Sequence, residues 1–358
     1  MRHITAIGWT GAFGLLLALG AGATVPVRSG PYYVIETRDR SRVSALLTFD
    51  VQCPDFTASE WRAFAAIAPE LPSQFNVRTS LDPPGVPVRE RGPLGRRLLM
   101  ARVPVVERQL RSVLPLQATY EATLRARTLR RVEEPPPGPR ARLTVAERAQ
   151  FLAERGDFDW KQERFRSWLK QEGLERQPDE VDVDFARRVF LHLRGRASYD
   201  FQEEMDRRAS VVCQDGKSDC GGLSTLYVSV LRAGRVPART LYGRWAMSAT
   251  EGEKINETPY YQWHVKSEFF AEGVGWVPVD LAAGIVFDRT PNGLLFFGFD
   301  SGEFITFHLD SNWAIETELF GVKTMHNLQG LAWWARGQGN VKSATIKEGW
   351  TVKTLPTP

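Results

Sequence analysis

Three residues in the second half of the chain have side chains that can share one reaction: Cys220, His264 and Asp280. A thiol supplies a nucleophile, an imidazole moves its proton near neutral pH, and a carboxylate fixes the imidazole's tautomer. Cys220 follows a polar segment (Gln214, Asp215, Gly216, Lys217, Ser218, Asp219). It precedes Leu223, Leu226, Tyr227, Val230 and Leu231, apolar residues at helical spacing. Gly234 and Pro237 end that pattern. The cysteine therefore falls in the first turn of a helix, where unpaired amides and the positive end of the helix dipole favour a thiolate. The expectation is a thiol pKa lowered from about 8.5 to about 4–5.

Strands must carry the other two residues. Ala238 to Trp245 reads as one, Tyr260 to Phe270 as a second with His264 near its middle, and Gly275 to Leu281 as a third bearing Asp280. Glu272-Gly273 is a short turn between the last two. Antiparallel pairing would set His264 beside Asp280. Taken singly, each residue has an ordinary reading: a small buried thiol, a satisfied core imidazole, a turn carboxylate. Their order and flanks together favour catalysis.

Those flanks resemble the transglutaminase-like superfamily, the bacterial branch of papain-like cysteine enzymes. The family pattern has a Gly-rich turn, a Cys opening a helix, and a run that here reads Val230-Leu231-Arg232-Ala233-Gly234-Arg235-Val236-Pro237-Ala238-Arg239. It continues with His264 to Glu268, a short hairpin, and Gly275-Trp276-Val277-Pro278-Val279-Asp280. Lys266 departs from the pattern, standing where the family usually has Trp, so substrate preference could differ. Tyr199 resembles the aromatic that follows the preceding helix, with packing as its expected role. The resemblance covers residues 185–309. It implies an α+β papain-like core, the helix carrying the Cys packed on an antiparallel sheet, with a Cys220–His264–Asp280 triad and no cofactor.

The remaining elements frame that core. Residues 1–23 read as a signal peptide: Arg2 and His3, a Gly-broken apolar run, and Ala21-Gly22-Ala23 before Thr24. The alternative is an uncleaved membrane anchor. Residues 24–134 read as an antiparallel β-sandwich accessory domain, with a short helix near Ser59 to Ile67. Residues 135–143 form a Pro-rich linker. Residues 144–358 read as the catalytic domain with a C-terminal extension packed on its core. Within it, Thr144 and Glu147 form a capping box, a second helical segment spans Phe158 to Gly173, and Asp184 caps a third helix. Leu294 to Phe299 and Glu303 to Leu309 read as a hairpin.

Of three cysteines, Cys220 must stay free if it is the nucleophile, leaving Cys53 and Cys213 to pair in an oxidising compartment. A Cys213–Cys220 bridge and three free thiols are the alternatives. The formal net charge of +4 owes much to arginines between Arg125 and Arg148. That run could suit an acidic partner, and a solvated linker and strand edge is the preferred reading. No aromatic interleaving points to nucleic acid, and no CxxC or HExxH spacing points to metal. The reading as a whole is an exported, periplasmic or extracellular cysteine enzyme. It acts on a protein or peptide, with cell-envelope proteins as one candidate class, through a thioester, as a protease or amidase. The alternatives are a glutamine cross-linking transglutaminase and a catalytically inactive binding module.

Overall fold

A computed structural model describes residues 32–356, apart from 107, 203, 249–253, 256–257 and 260–261. The signal-peptide segment lies outside the described residues. The first half is a run of strands: β1 (Tyr32–Gln52), β2 (Phe56–Ala66), β3 (Gln74–Asp82), β4 (Val86–Arg89), β5 (Arg97–Pro104) and β6 (Val113–Val132). In β1, Val43, Ala45, Leu47, Phe49 and Val51 are all buried, and Leu114 to Leu124 of β6 alternate in the same way. Period two puts one face of each strand in the core. Residues 59–66 are strand, not the helix expected near Ser59 to Ile67. β2 pairs with β5 along Glu60 to Ala66, and its last six residues are buried on both faces, so sheet pairing overrides the local preference.

The second half supplies α1 (Val145–Leu152), α2 (Glu163–Gln171), α3 (Asp182–Arg196), β7 (Ser198–Tyr199), α4 (Ala209–Asp215), β8 (Lys217–Ser218) and α5 (Cys220–Ala233). Next come β9 (Ala238–Trp245), the two-residue β10 (Lys254–Ile255) and β11 (Thr258–Pro259), then β12 (Trp263–Ala271), β13 (Gly275–Val279), α6 (Leu281–Val286), β14 (Phe299–Asp300) and β15 (Phe304–Leu309). The capping box at Thr144 and Glu147 forms as read. Helix α3 begins at Asp182, one turn's fraction before the expected cap, with Val181 at the N-cap position. Helix α5 is buried from Gly221 to Arg232, as suits a helix apolar or small on every side. It packs on an antiparallel sheet of order β13-β12-β9-β15, with α3, α4 and α6 around it.

The last strands are β16 (Trp313–Glu316), β17 (Val322–Met325), β18 (Ala332–Gly339) and β19 (Thr345–Leu355). From the sequence this tail is expected on the catalytic core. Instead β19 pairs with β1 from Arg42↔Leu355 to Gln52↔Thr345, and β18 pairs with β2. Among the described residues, the two sheets of the sandwich run β14-β6-β1-β19 and β18-β2-β5-β4. Trp350, Leu331 and Ala332 complete the sandwich core. The expected 294–309 hairpin is also absent: β14 joins β6, and β15 joins β9.

The halves share elements. Beyond a bulge at Asp39/Ser41, β1 and β6 continue into the second core, where Tyr33 is buried among residues of α3 and α5. Arg127 of β6 is fully buried and binds Glu268 of β12, which also pairs with Arg239 of β9. Cys53 lies in the sandwich core and Cys213 in the helical core, and all three cysteines are free. A bridge needs Cα atoms within about 7 Å, and burial in separate cores rules against the Cys53–Cys213 pairing.

Candidate active site

The turn into α5 is shaped by small and polar residues. Gly216, in the left-handed conformation at φ 66°, ends α4. The parallel pairing of β7 with β8 then aligns Tyr199 with Ser218. Asp219 is the N-cap: Gly222 N donates to its Oδ1 at 2.9 Å. Gly222 is needed because a Cβ there would lie 2.0 Å from Ser218 Oγ. Cys220 is thus delivered in the first turn, as the sequence indicated, and keeps partial exposure.

β12 and β13 pair from Ser267↔Val279 to Ala271↔Gly275, across the turn at 272–274. Asp280 follows the last paired residue and caps α6, its Oδ1 accepting from Ala283 N at 2.9 Å. Its Oδ2 accepts from His264 Nε2 at 2.7 Å. A carboxylate only accepts, so Nε2 carries the hydrogen and Nδ1 is left as the acceptor. The main-chain amide of Val265, next to His264, acts on the Cys220 thiol as a hydrogen-bond donor. His264 and Asp280 are therefore joined directly, and α5, which Cys220 opens, packs against both β12 and α6.

The electrostatics differ from the expected ionised thiol. Burial, and then the Asp219 carboxylate, push the Cys220 thiol up from its ordinary value, against the Val265 amide and Arg207. The partial exposure does not undo this, because the sulfur's surroundings are dense enough to desolvate a thiolate. The same cap that starts the helix places an anion where the dipole would have favoured the thiolate. Arg207 offsets it in part, with Nε 2.9 Å from Asp219 Oδ2. Burial would raise the Asp280 carboxyl, but the His264 imidazole outweighs it, with Lys266 and the Ala283 amide, and holds it below the usual range.

Further residues at the site were not singled out for it from the sequence. Trp245, at the end of β9, stacks on His264 with ring centres 5.0 Å apart and planes at 19°. Phe304 meets the imidazole edge-on at 6.1 Å. Their signal was an aromatic ending one strand and another starting the next, which only the β9–β15 pairing makes meaningful. Tyr199, named from the sequence for packing, pairs with Ser218, two residues before Cys220, and burial pushes its phenol up. Among the described residues, no group of three or more His, Cys, Asp or Glu side chains is placed to hold a metal ion.

A cysteine-bearing helix thus lies against an antiparallel sheet that carries His264, which is hydrogen-bonded to Asp280 at the start of α6. Residues 169–281, which hold all three side chains, match the family model of the transglutaminase-like superfamily. A candidate cysteine protease from Cytophaga hutchinsonii is similar in fold over 91 % of this chain and 94 % of its own, at 12 % identity and a TM-score of 0.51. The periplasmic domain of TgpA from Pseudomonas aeruginosa aligns over 66 % of this chain and 88 % of its own, at 13 % identity and a TM-score of 0.34. No curated protein matches the chain. No helix among the described residues is long and apolar enough to cross a membrane.

Proposed function

We propose that the protein is an exported cysteine enzyme that breaks an amide or peptide bond through a thioester on Cys220, with His264 and Asp280 completing a triad. The observation that carries this is the 2.7 Å bond from His264 Nε2 to Asp280, which leaves Nδ1 free to take a proton from a cysteine held beside the neighbouring amide. Because the thiol rests protonated, attack begins with proton transfer from Cys220 Sγ to His264 Nδ1. The sulfur then adds to the substrate carbonyl, whose oxygen becomes the oxyanion. Main-chain amides in the first turn of α5, outside the helix's own bonding, can receive it. Collapse expels the amine, which takes the proton back from His264 and leaves a thioester. Water attacking that thioester, with His264 again as base, releases the acid and restores the thiol. An amine in place of water would make the same site a transamidase. Hydrolysis is preferred because water needs no second-substrate groove.

The substrate class this reading implies is a protein or peptide, with cell-envelope proteins the natural choice for an exported enzyme. Export rests on the sequence of residues 1–23 alone. The test is iodoacetamide labelling near neutral pH without reductant, with each cysteine mapped by mass spectrometry. Cys220 should be modified in preference to the buried Cys53 and Cys213, and His264→Ala should slow that modification by about a hundredfold. Equal labelling of Cys220 in the wild type and in His264→Ala would refute the triad.

A further inference from the structure

Lys266 lies two residues along β12 from His264, on the same face of the strand, and the reaction above does not use it. It is only 5 % exposed. A buried ammonium is costly unless its charge is matched, and here the match is specific. Nζ stands 4.8 Å from the ring centre of Trp245 and 4.7 Å from that of Phe304, both within cation–π range. It also donates to Asp300 Oδ1 at 3.4 Å. These two rings are the ones that touch the imidazole, Trp245 by its face and Phe304 edge-on, and they meet each other at 5.6 Å. Behind Lys266, Asp300 lies 3.7 Å from Arg127, which also binds the buried Glu268. One cation thus ties the aromatic seat of His264 to the fixed ion pairs linking β6 and β12.

We propose that Lys266 is a positioning residue for His264: its ammonium fixes Trp245 and Phe304 as a rigid seat that holds the imidazole in line between Asp280 and Cys220. The inference rests on the reading of His264 as the base for Cys220. A displaced base is costly, since misplacement by about 1 Å can lose about a hundredfold in rate. Substituting Lys266 by Met keeps the stem's bulk among the rings. It leaves Asp300 with Arg127 and with the Gly302 amide, which donates to Oδ1 at 2.9 Å.

The experiment measures the rate of Cys220 alkylation at one pH near neutrality, in the full chain, for Lys266→Met, Trp245→Phe and His264→Ala, and for Lys266→Met combined with His264→Ala. Circular dichroism confirms the fold. Lys266→Met should slow alkylation by about tenfold or more, Trp245→Phe should do likewise, and Lys266→Met should add nothing once His264 is gone. An unchanged rate in Lys266→Met, or the same further loss in the His264→Ala background, overturns the proposal. If Lys266→Met does not fold, Trp245→Phe decides, since it leaves the Lys266–Asp300 pair intact; an unchanged rate there also overturns it. If His264→Ala itself has no effect, it is the triad reading that has failed.

Discussion

Replacing Asp219 by Asn should make Cys220 more acidic. The carboxylate caps α5 through Gly222 N and is, after burial, the largest influence raising the thiol. A thiolate is an anion, so a neighbouring anion raises its pKa, and removing that anion lowers it. For charges about 5 Å apart at an effective dielectric of about 20, the interaction is about 3 kcal/mol, or roughly two pK units. That full fall requires Arg207 to stay in place. If Arg207, held at 2.8–2.9 Å by the same carboxylate, swings away, its opposing influence is lost too and the fall shrinks to about one unit. Asn caps a helix about as well as Asp, so the first turn should persist. The assay is the alkylation rate of Cys220 against pH, resolved from the other cysteines by mass spectrometry. The midpoint should move down by about one to two pH units. The rate at neutral pH should rise by about three- to tenfold once the weaker nucleophilicity of a more acidic thiol is allowed for. A midpoint unchanged or raised, with the helix content of the wild type, would refute this account of the thiol.

Two further outcomes follow from the packing. Burial would raise the Asp310 carboxyl, but Arg232 and Arg155 outweigh it and hold it well below the usual range. Its folded pKa lies under the unfolded value of about 3.9, so its stabilisation is complete above that value and is lost as pH falls below about 4. Asp310→Ala, which strands the fully buried Arg232, should cost about 3–5 kcal/mol in urea denaturation at pH 7 and much less at the acid end. Trp350→Ala should cost about 3–5 kcal/mol in the same assay, because this tail residue fills the sandwich core; a cost below about 1 kcal/mol would mean the tail is not part of it.

How much was legible depended on how local the signal was. The Cys220 helix start, the β9 strand and the β12–β13 hairpin could all be read, because each is written in a short stretch by periodicity, caps or turn residues. Residues 59–66 were misread as helix because only strands β5 and β18, distant in sequence, make them sheet members. The 294–309 hairpin was misread for the same reason: two adjacent strands found partners elsewhere.

The sequence by itself determined which local elements carry the three candidate residues. Cys220 opens a helix, His264 and Asp280 flank one hairpin, and those spacings fix their positions to within a residue or two. Tertiary structure decided how they behave. Whether the thiol rests charged depends on burial and on Asp219 and Arg207, since charge acts through space and not along the chain. What holds the imidazole depends on Trp245, Lys266 and Phe304, from three strands brought side by side. Where the tail belongs depends on β1 and β2, some three hundred residues earlier, whose unpaired edges it completes.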